Sequence, residues 1–329
     1  MPQPCSFDDL KNRSGPPLNS WGLWGEDNEL GQLNLIDAAA VKRGRDAVKH
    51  GIPVCLNLPM KGRPINPGRG TIQHELLHKN NHFDDKVTFN TQYSTQWDGF
   101  AHVPYQNYPE AGKYTYHGGL THDDILGGCT KFGIHSKARV VHADVDLAKH
   151  PVTTRAHLLD IARWADKHGV KLDHLSTNTP ITLDMIQKCA AETGVTFESG
   201  DVLIIRTGFT EAVYNLPEDK YKDYDPMKGA IGVEPSPELM RWVWETGIPA
   251  VASDAFAFEA WPPKARGPIT PCVHEVFLGG WGLPLGELFD LRELSEKCAE
   301  LNQYTFFLTT MALNIEGGVG SPPNAQAIL

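Results

Sequence analysis

The chain has 329 residues, of which 41% are hydrophobic and 21% are charged, so it can bury a sizeable core. The formal net charge is −10 and no stretch concentrates Lys and Arg, which argues against a nucleic acid or an anionic membrane as the partner.

The six cysteines are scattered without a C-x-x-C pair, which indicates reduced thiols and offers no thiolate zinc site. The amino-terminal segment lacks the basic region and apolar run of a secretory signal, and no apolar run approaches the ~20 residues that span a bilayer. We therefore expect a cytoplasmic protein with no membrane partner. The chain also lacks the G-x-S-x-G nucleophile elbow and the G-x-x-x-x-G-K-[ST] phosphate loop.

The first 35 residues are rich in Gly, Pro, Asn and Trp and predict an irregular arm. Trp21 and Trp24 are large enough to anchor such an arm by packing against the body of the protein. Asp37 then predicts the N-cap of a helix that ends at Gly51.

The second half of the chain alternates apolar runs with capped helical segments. The continuous apolar run in G-D-V-L-I-I-R-T-G (200–208) predicts a strand buried on both faces. Ser236 and Pro237 predict the start of a helix that ends at Gly247. The other predicted elements are strands at 54–58, 138–145, 248–254 and 304–313, and helices from Thr153 or Thr154 to His168, from Thr182 to Thr193, and after a cap at Asp290. This alternation predicts the α/β class, and the lack of a linker predicts a single domain over 1–329 with an arm of about 1–35.

Gln92, Gln96, Asp98 and His102 lie close together in Q-Y-S-T-Q-W-D-G-F-A-H-V-P. On an extended backbone Gln96 and Asp98 point to the same face, and a bend at Gly99 would let the ring of His102 return toward them. Such a group of oxygens and a nitrogen suits a hard or borderline divalent cation. The alternative is a polar strand end with a buried, hydrogen-bonded histidine.

The sequence His74-Glu75-Leu76-Leu77-His78 matches H-E-x-x-H, the zinc-binding helix of metallopeptidases. It lies within 61–90, a segment whose Pro and Gly residues predict a long and functional loop. Flanking glycines and asparagines leave scarcely two helical turns for the motif. The context therefore favours a short helical turn that lines a pocket over a peptidase site.

Two further histidines are candidates for a site. His117 lies in a loop rich in tyrosine and glycine, where it faces either a ligand or solvent. His274 and Glu287 enclose an otherwise apolar segment, which suggests the second half of a metal site, although a satisfied core histidine is the alternative.

These residues together resemble the metal-dependent cyclase/hydrolase family, which includes bacterial kynurenine formamidase and isatin hydrolase. The resemblance rests on Gln92–Pro104, which aligns with the family motif H-x-G-T-H-x-D-x-P-x-H, on the 200–208 strand, on Asp254, and on His274 with Glu287. It extends from about residue 85 to the carboxyl-terminal S-P-P-N-A, and the early W-G-E-D-N-E-L-G-Q-L-N is similar to longer members. It implies a swivelling β/β/α fold with a barrel-like β core wrapped by helices, and a homo-oligomer that is a dimer or tetramer.

The resemblance also implies a metal site. Gln92 and Gln96 occupy the positions of two ligand histidines, so glutamine replaces histidine twice. Because the glutamine oxygen is a neutral and weaker ligand, we expect one ion rather than two, either Zn²⁺ or Mn²⁺. The expected ligands are Asp98, His102, His274 and Glu287, with Gln96 assisting. Asp98 and His102 are the expected catalytic residues, and whether His102 is a ligand or a free base stays open.

The implied function is hydrolysis of an amide, ester or lactone in a small cyclic or aromatic substrate by metal-activated water. Specificity would lie in 61–90, 105–120 and 255–268. The residues expected to line the pocket are His74, Gln92, Trp97, Tyr105, His117, Asp254 and Trp261. Two alternatives are a metal-dependent cyclase or dehydratase of a polyketide-like acid, and a degenerate relative that binds a small molecule without turnover.

Overall fold

Most strands of the protein join one curled sheet. The computed structural model describes residues 3–26, 28–133, 149–263 and 272–329. The strands within these residues are β1 (Pro53–Cys55), β2 (Gln73–Lys79), β3 (His82–Thr88), β4 (Gln96–Asp98), β5 (Thr154–Asp160), β6 (Val202–Arg206), β7 (Val251–Ser253), β8 (Leu285–Glu287), β9 (Thr305–Thr309), β10 (Gly320–Ser321) and β11 (Gln326–Ile328).

The sheet has the strand order β1-β11-β9-β5-β6-β7-β8-β4-β10 and curls into a half-barrel. Its four central strands, β5 to β8, run parallel, and the strands on both sides of them pair antiparallel. The predicted α/β class with a barrel-like β core wrapped by helices is therefore confirmed.

Several helices begin where the sequence supplies a capping side chain. Asp37, Thr182 and Ser236 each accept a hydrogen bond from a backbone N–H in the first turn of a helix. The caps at Asp37 and Ser236 agree with the prediction, and so does the start of a helix at Thr182. The α-helices within the described residues are α1 (Phe7–Leu10), α2 (Ala38–Asp46), α3 (His122–Leu126), α4 (Ile161–His168), α5 (Leu183–Thr193), α6 (Phe209–Tyr214), α7 (Glu218–Tyr221), α8 (Pro237–Thr246) and α9 (Arg292–Leu301). None of them is long and apolar enough to cross a lipid bilayer.

The sheet is buried on both faces. In β6, Leu203 and Ile205 belong to one apolar cluster, whereas Val202 and Ile204 belong to the cluster on the other side. This alternation confirms the doubly buried strand that the sequence predicts. The amino-terminal arm is held as predicted, since Trp21 donates through Nε1 to the carbonyl of Gly279 at 2.8 Å and the ring of Trp24 packs edge-on against Trp244.

Two predicted elements are wrong, and two predicted helix ends are displaced. The helix after Asp37 ends at Asp46 instead of Gly51, and Leu291 rather than Asp290 occupies the N-cap position of α9. The segment 61–90 is not an open loop, because β2 and β3 form an antiparallel hairpin within it. The helix predicted from Thr153 or Thr154 begins only at Ile161, because 154–160 forms β5 and Asp160 supplies the helix cap. The propensity of threonine for N-caps misled the prediction, since burial in the centre of the sheet decides the conformation here. The strand predicted at 138–145 lies outside the described residues.

Gly286, in the middle of β8, has three side chains packed directly against its Cα. An added Cβ at this position would lie 2.6 Å from the Cβ of Ala252, 2.8 Å from the ring of Phe289 and 2.9 Å from the ring of Trp97. Such distances are shorter than van der Waals contact, so the strand that carries Glu287 depends on a glycine here.

We predict that Gly286→Ala lowers the free energy of unfolding by ~1–3 kcal/mol, because overpacking forces the neighbouring side chains from their positions. Urea unfolding of the variant measures this loss. The double variant Ala252→Gly/Gly286→Ala removes the nearest methyl group and should recover part of it. Unchanged stability in the single variant would show that the sheet has room at this position.

Candidate metal centre

The pairing of β4 with β8 brings together two halves of the predicted site that are almost 200 residues apart. Gln96 lies opposite Glu287 in this antiparallel pair, and Asp98 lies opposite Leu285. Because side chains alternate along a strand, Gln96 and Asp98 share one face of β4. The register therefore places Asp98 and Glu287 on the same side of the sheet.

Three potential ligands meet at this point. One ligand atom each from Asp98, His274 and Glu287 lies within 4.8 Å of the other two, and all three residues are buried. The Oδ2 atom of Asp98 is buried and has no hydrogen-bond partner within the described residues. A buried carboxylate oxygen without a partner is costly, and a divalent cation would satisfy it. Two carboxylates and an imidazole form a donor set suited to Zn²⁺ or Mn²⁺.

Glu259 holds the ring of His274 from behind. The Nδ1 atom of His274 lies 2.8 Å from Oε1 of Glu259, and the backbone N–H groups of Val273 and His274 donate to the same carboxylate at 3.0 Å each. A proton on Nδ1 is thereby directed to Glu259, and Nε2 faces Glu287 at 3.1 Å. This is the outer support that metal-ligating histidines normally have. The sequence reasoning missed Glu259, whose only signal is an acidic residue within the apolar run F-A-F-E-A-W.

The neighbouring carboxylates shift the pKa values of Glu287 and His274. Burial and the nearby charge of Asp98 raise the pKa of Glu287 to about 7, although His274 pulls it down. Burial by itself would lower the pKa of His274, but the hydrogen bonds and charges of Glu259 and Glu287 outweigh it and raise this pKa to about 10. Close buried carboxylates repel each other, so the site favours a positive partner between them.

His102 lies beside the three-residue cluster. Its Nε2 is 3.8 Å from Oδ2 of Asp98 and 3.0 Å from Nε2 of Gln92. Its side chain is 23% exposed, whereas that of Asp98 is fully buried. Burial lowers the pKa of His102, and the charge of Asp98 offsets this only in part. The ring is therefore neutral at neutral pH and can accept a proton.

Both glutamines direct their amide nitrogens to the carboxylates. Gln96 donates through Nε2 to Oε2 of Glu287 at 2.6 Å, and Gln92 donates through Nε2 to Oδ1 of Asp98 at 2.5 Å. Gln96 was expected to assist metal binding with its oxygen, but here it presents a donor to the ligands instead.

Trp97 and Tyr105 pack in the interior of the protein, away from the cluster. Trp97 points to the opposite face of β4, where its ring packs against Phe289 and its Nε1 donates to Oγ1 of Thr310 at 2.8 Å. Tyr105 is buried and donates its hydroxyl to the carbonyl of Pro17, 2.7 Å away. The expectation that these two rings line a pocket at the site disagrees with the structure, because both rings are used to pack other parts of the chain.

Asp254 and Trp261 differ in their relation to the site. Asp254 follows β7 and accepts hydrogen bonds from the backbone N–H groups of Thr207 and Gly208 at 2.6 and 2.8 Å, so it joins the ends of two strands. The ring of Trp261 lies 6.3 Å from that of His274, and its Nε1 is buried without a partner within the described residues. Of the aromatic side chains predicted to line the pocket, Trp261 therefore lies next to the cluster and can form a wall of the site.

The H-E-x-x-H sequence forms a strand. It is therefore neither the zinc-binding helix of a peptidase nor the short helical turn that the sequence analysis favoured. His74 pairs with Val87 and His78 with Phe83 in the β2–β3 hairpin. Residues four apart on a strand are separated by ~13 Å, too far to share one ion. His74 is exposed and its Nε2 lies 3.1 Å from Oδ2 of Asp85.

The fold and the site together define a cyclase-like enzyme. A family model described as a putative cyclase matches residues 54–260, and the chain belongs to this family. The crystal structure of a novel cyclase is similar to it, with 27% identity, a TM-score of 0.77, and coverage of 94% of this chain and 99% of that chain.

Isatin hydrolases share the fold at lower identity. Isatin hydrolase A from Ralstonia solanacearum is 17% identical, with a TM-score of 0.53 and coverage of 88% of this chain and 94% of that chain. An isatin hydrolase bound to the product analogue thioisatinate is 14% identical, with a TM-score of 0.54 and coverage of 89% and 99%. No curated protein matches the chain.

His117 is buried in the core and does not face solvent. It is 4% exposed, packs against Phe100 and Phe132, and its Nδ1 lies 3.2 Å from the carbonyl of Gly279. Burial lowers its pKa to about 4, although the hydrogen bond to Gly279 opposes the shift. The expectation that it faces a ligand therefore has no support from its position.

Because the folded-state pKa of His117 lies below its unfolded value of about 6.5, its contribution to stability is complete above pH 6.5 and is lost as the pH falls toward 4. We predict that this loss amounts to ~3 kcal/mol. His117→Asn should unfold with a smaller pH dependence over this range, as measured by urea denaturation at several pH values. Parallel curves for the two proteins would contradict the assignment.

Proposed function

We propose that the protein is a cytoplasmic, metal-dependent hydrolase that opens an amide, ester or lactone bond in a small cyclic or aromatic substrate. The observation that carries the proposal is the buried Oδ2 of Asp98, which has no hydrogen-bond partner among the described residues and belongs to a carboxylate that clusters with His274 and Glu287. Membership of the cyclase family and the fold shared with isatin hydrolases support it.

Asp98, His274 and Glu287 would hold one Zn²⁺ or Mn²⁺ ion. Such an ion supplies Lewis-acid chemistry, because it lowers the pKa of a water molecule and polarises a carbonyl group. Glu259 keeps the imidazole of His274 in one orientation, with Nε2 directed to the centre. The two carboxylates supply the negative charge that retains the ion.

His102 would move the proton. Its ring is neutral at neutral pH and lies next to Asp98, and its side chain is more exposed than that of Asp98. It can therefore accept a proton from the attacking water at a ring nitrogen and return that proton to the leaving group. Trp261, next to His274, would form an apolar wall for the substrate.

We predict that Asp98→Asn loses the metal and reduces hydrolysis at least ~100-fold, because the amide removes a ligand charge. Metal content is measured by mass spectrometry of the purified protein, and activity with formamide, lactone and isatin-like substrates before and after chelation. Asp166→Asn, an exposed change in α4, is the control and should alter neither.

Products of the same assay separate hydrolysis from cyclisation or dehydration, since only hydrolysis adds the mass of water. Full metal content in Asp98→Asn, or activity indifferent to chelation, would contradict the proposal. Tight ligand binding without turnover at full metal content would favour a binding protein.

We also propose that the β2–β3 hairpin packs against a second copy of the chain. Every residue of the hairpin except Leu77 is exposed. Leu76 and Phe83 are each 67% exposed and Val87 is 44% exposed, on one face of the hairpin. An isolated two-stranded hairpin is marginally stable in water, and exposed apolar clusters are typical of interfaces.

We predict that the double variant Leu76→Asp/Phe83→Asp is a monomer, because two charges would have to be buried in the interface. Light scattering coupled to gel filtration measures the mass of the assembly. The control Glu75→Gln/Lys86→Gln changes the opposite face of the hairpin and should leave the mass of a dimer or tetramer unchanged. A monomeric wild-type protein would refute the proposal.

A further inference from the structure

Arg69 fixes the orientation of the Gln96 amide. Its Nη1 donates to Oε1 of Gln96 at 2.9 Å and to the backbone carbonyl of Gln92 at 2.6 Å. A guanidinium has only donors, so the oxygen of Gln96 must be the atom that faces it. The amide nitrogen is therefore turned to Glu287, 2.6 Å away, and to Oδ1 of Asp98, 3.4 Å away.

Gln92 is held in a similar way. Its Nε2 lies between Oδ1 of Asp98 and Nε2 of His102, at 2.5 and 3.0 Å. Gly320, opposite Asp98 in the β4–β10 pair, leaves space for it, since an added Cβ there would lie 2.8 Å from Cγ of Gln92. This close backbone confines the side chain to its position beside the carboxylate.

In each carboxylate, one oxygen accepts hydrogen bonds from glutamine amides and the other does not. Oδ1 of Asp98 accepts from both amides, and its Oδ2 is left for a cation. Glu287 accepts from Gln96 at Oε2, and its Oε1 faces Nε2 of His274. One oxygen of each carboxylate is therefore already paired, and a second ion would have to displace amide N–H groups to reach these atoms.

A tight turn holds Arg69 in place. Arg69 ends the 3₁₀ turn Pro67–Arg69, which Asn66 caps by accepting from the N–H of Gly68 at 3.1 Å. Gly70 follows with a φ of 76°, a conformation that favours glycine. The turn keeps the guanidinium half-buried, so its charge lies close to the carboxylates without full exposure to water.

We propose that Arg69 is a positioning residue, and that its guanidinium and the amides of Gln92 and Gln96 take the place of a second cation and restrict the centre to one ion. This inference rests on the proposed function, because it presupposes that Asp98, His274 and Glu287 bind a metal.

The test is the number of Zn²⁺ ions bound per chain, measured by calorimetric titration of chelator-treated protein and by metal analysis. The wild type should bind one ion. Arg69→Gln removes the charge and frees the Gln96 amide to rotate its oxygen inward, so a second and weaker ion should bind at millimolar Zn²⁺. Arg69→Lys keeps the charge and should retain one.

Arg63→Gln is the matched control. Arg63 lies in the same segment but bonds to Glu218 and to the carbonyl of Leu216, away from the centre, so the stoichiometry should stay at one ion. A single ion in Arg69→Gln, or two in the wild type, would overturn the inference alone. A wild type that binds no ion would instead overturn the proposed function.

Hydrogen exchange provides a second measurement that needs no change at Arg69. In the zinc-loaded wild type, the side-chain N–H protons of Gln96 should exchange with solvent more slowly than those of an exposed glutamine such as Gln73, because they donate to Glu287 and Asp98. The loss of the signal in Gln96→Met assigns it. Exchange as fast as that of Gln73 would show that the amide nitrogen faces solvent and would contradict the proposed orientation.

Discussion

The repulsion between two buried carboxylates governs the centre of this protein. Asp98 and Glu287 lie on adjacent strands, 0% and 3% exposed, with their ligand atoms in one small cluster. Charges taken out of water at this separation are costly unless positive groups or donors surround them. Burial and the charge of Asp98 accordingly raise the pKa of Glu287 to about 7.

Four separate parts of the chain supply the groups that offset the repulsion. The turn before the hairpin provides Arg69, the segment leading into β4 provides Gln92, β4 itself provides Gln96, and the start of the π-helix Glu275–Trp281 provides His274. Glu259 then orients His274 by pairing with its Nδ1 and its backbone N–H and by accepting from the backbone N–H of Val273. Among the described residues, Oδ2 of Asp98 is left without a partner, and a cation would satisfy it.

The sequence predicts the parts of the site that depend on strand periodicity and on recognisable motifs. Gln96 and Asp98 share a face because they are two residues apart, and His274 with Glu287 could be paired with them through the family resemblance. Arg69 and Glu259 could not be found in this way, because their roles arise from contacts with residues that lie 27 and 15 positions further along the chain. The prediction from the H-E-x-x-H match was wrong for a related reason, because the local sequence of a short segment does not decide between a helix and a strand.

The fold shows the same division. The caps at Asp37 and Ser236 are local and were predicted, whereas the start of α4 depends on β5 pairing with β6 and β9 in the sheet. Long-range pairing overrides the preference of Thr154 for a helix cap.

The most direct test of the account is anomalous diffraction from crystals grown with Mn²⁺ or Zn²⁺. We expect one anomalous peak per chain, coordinated by Oδ2 of Asp98, Nε2 of His274 and Glu287, with the amide nitrogens of both glutamines turned to the carboxylates. A peak bound by the glutamine oxygens, or no peak at this cluster, would contradict it.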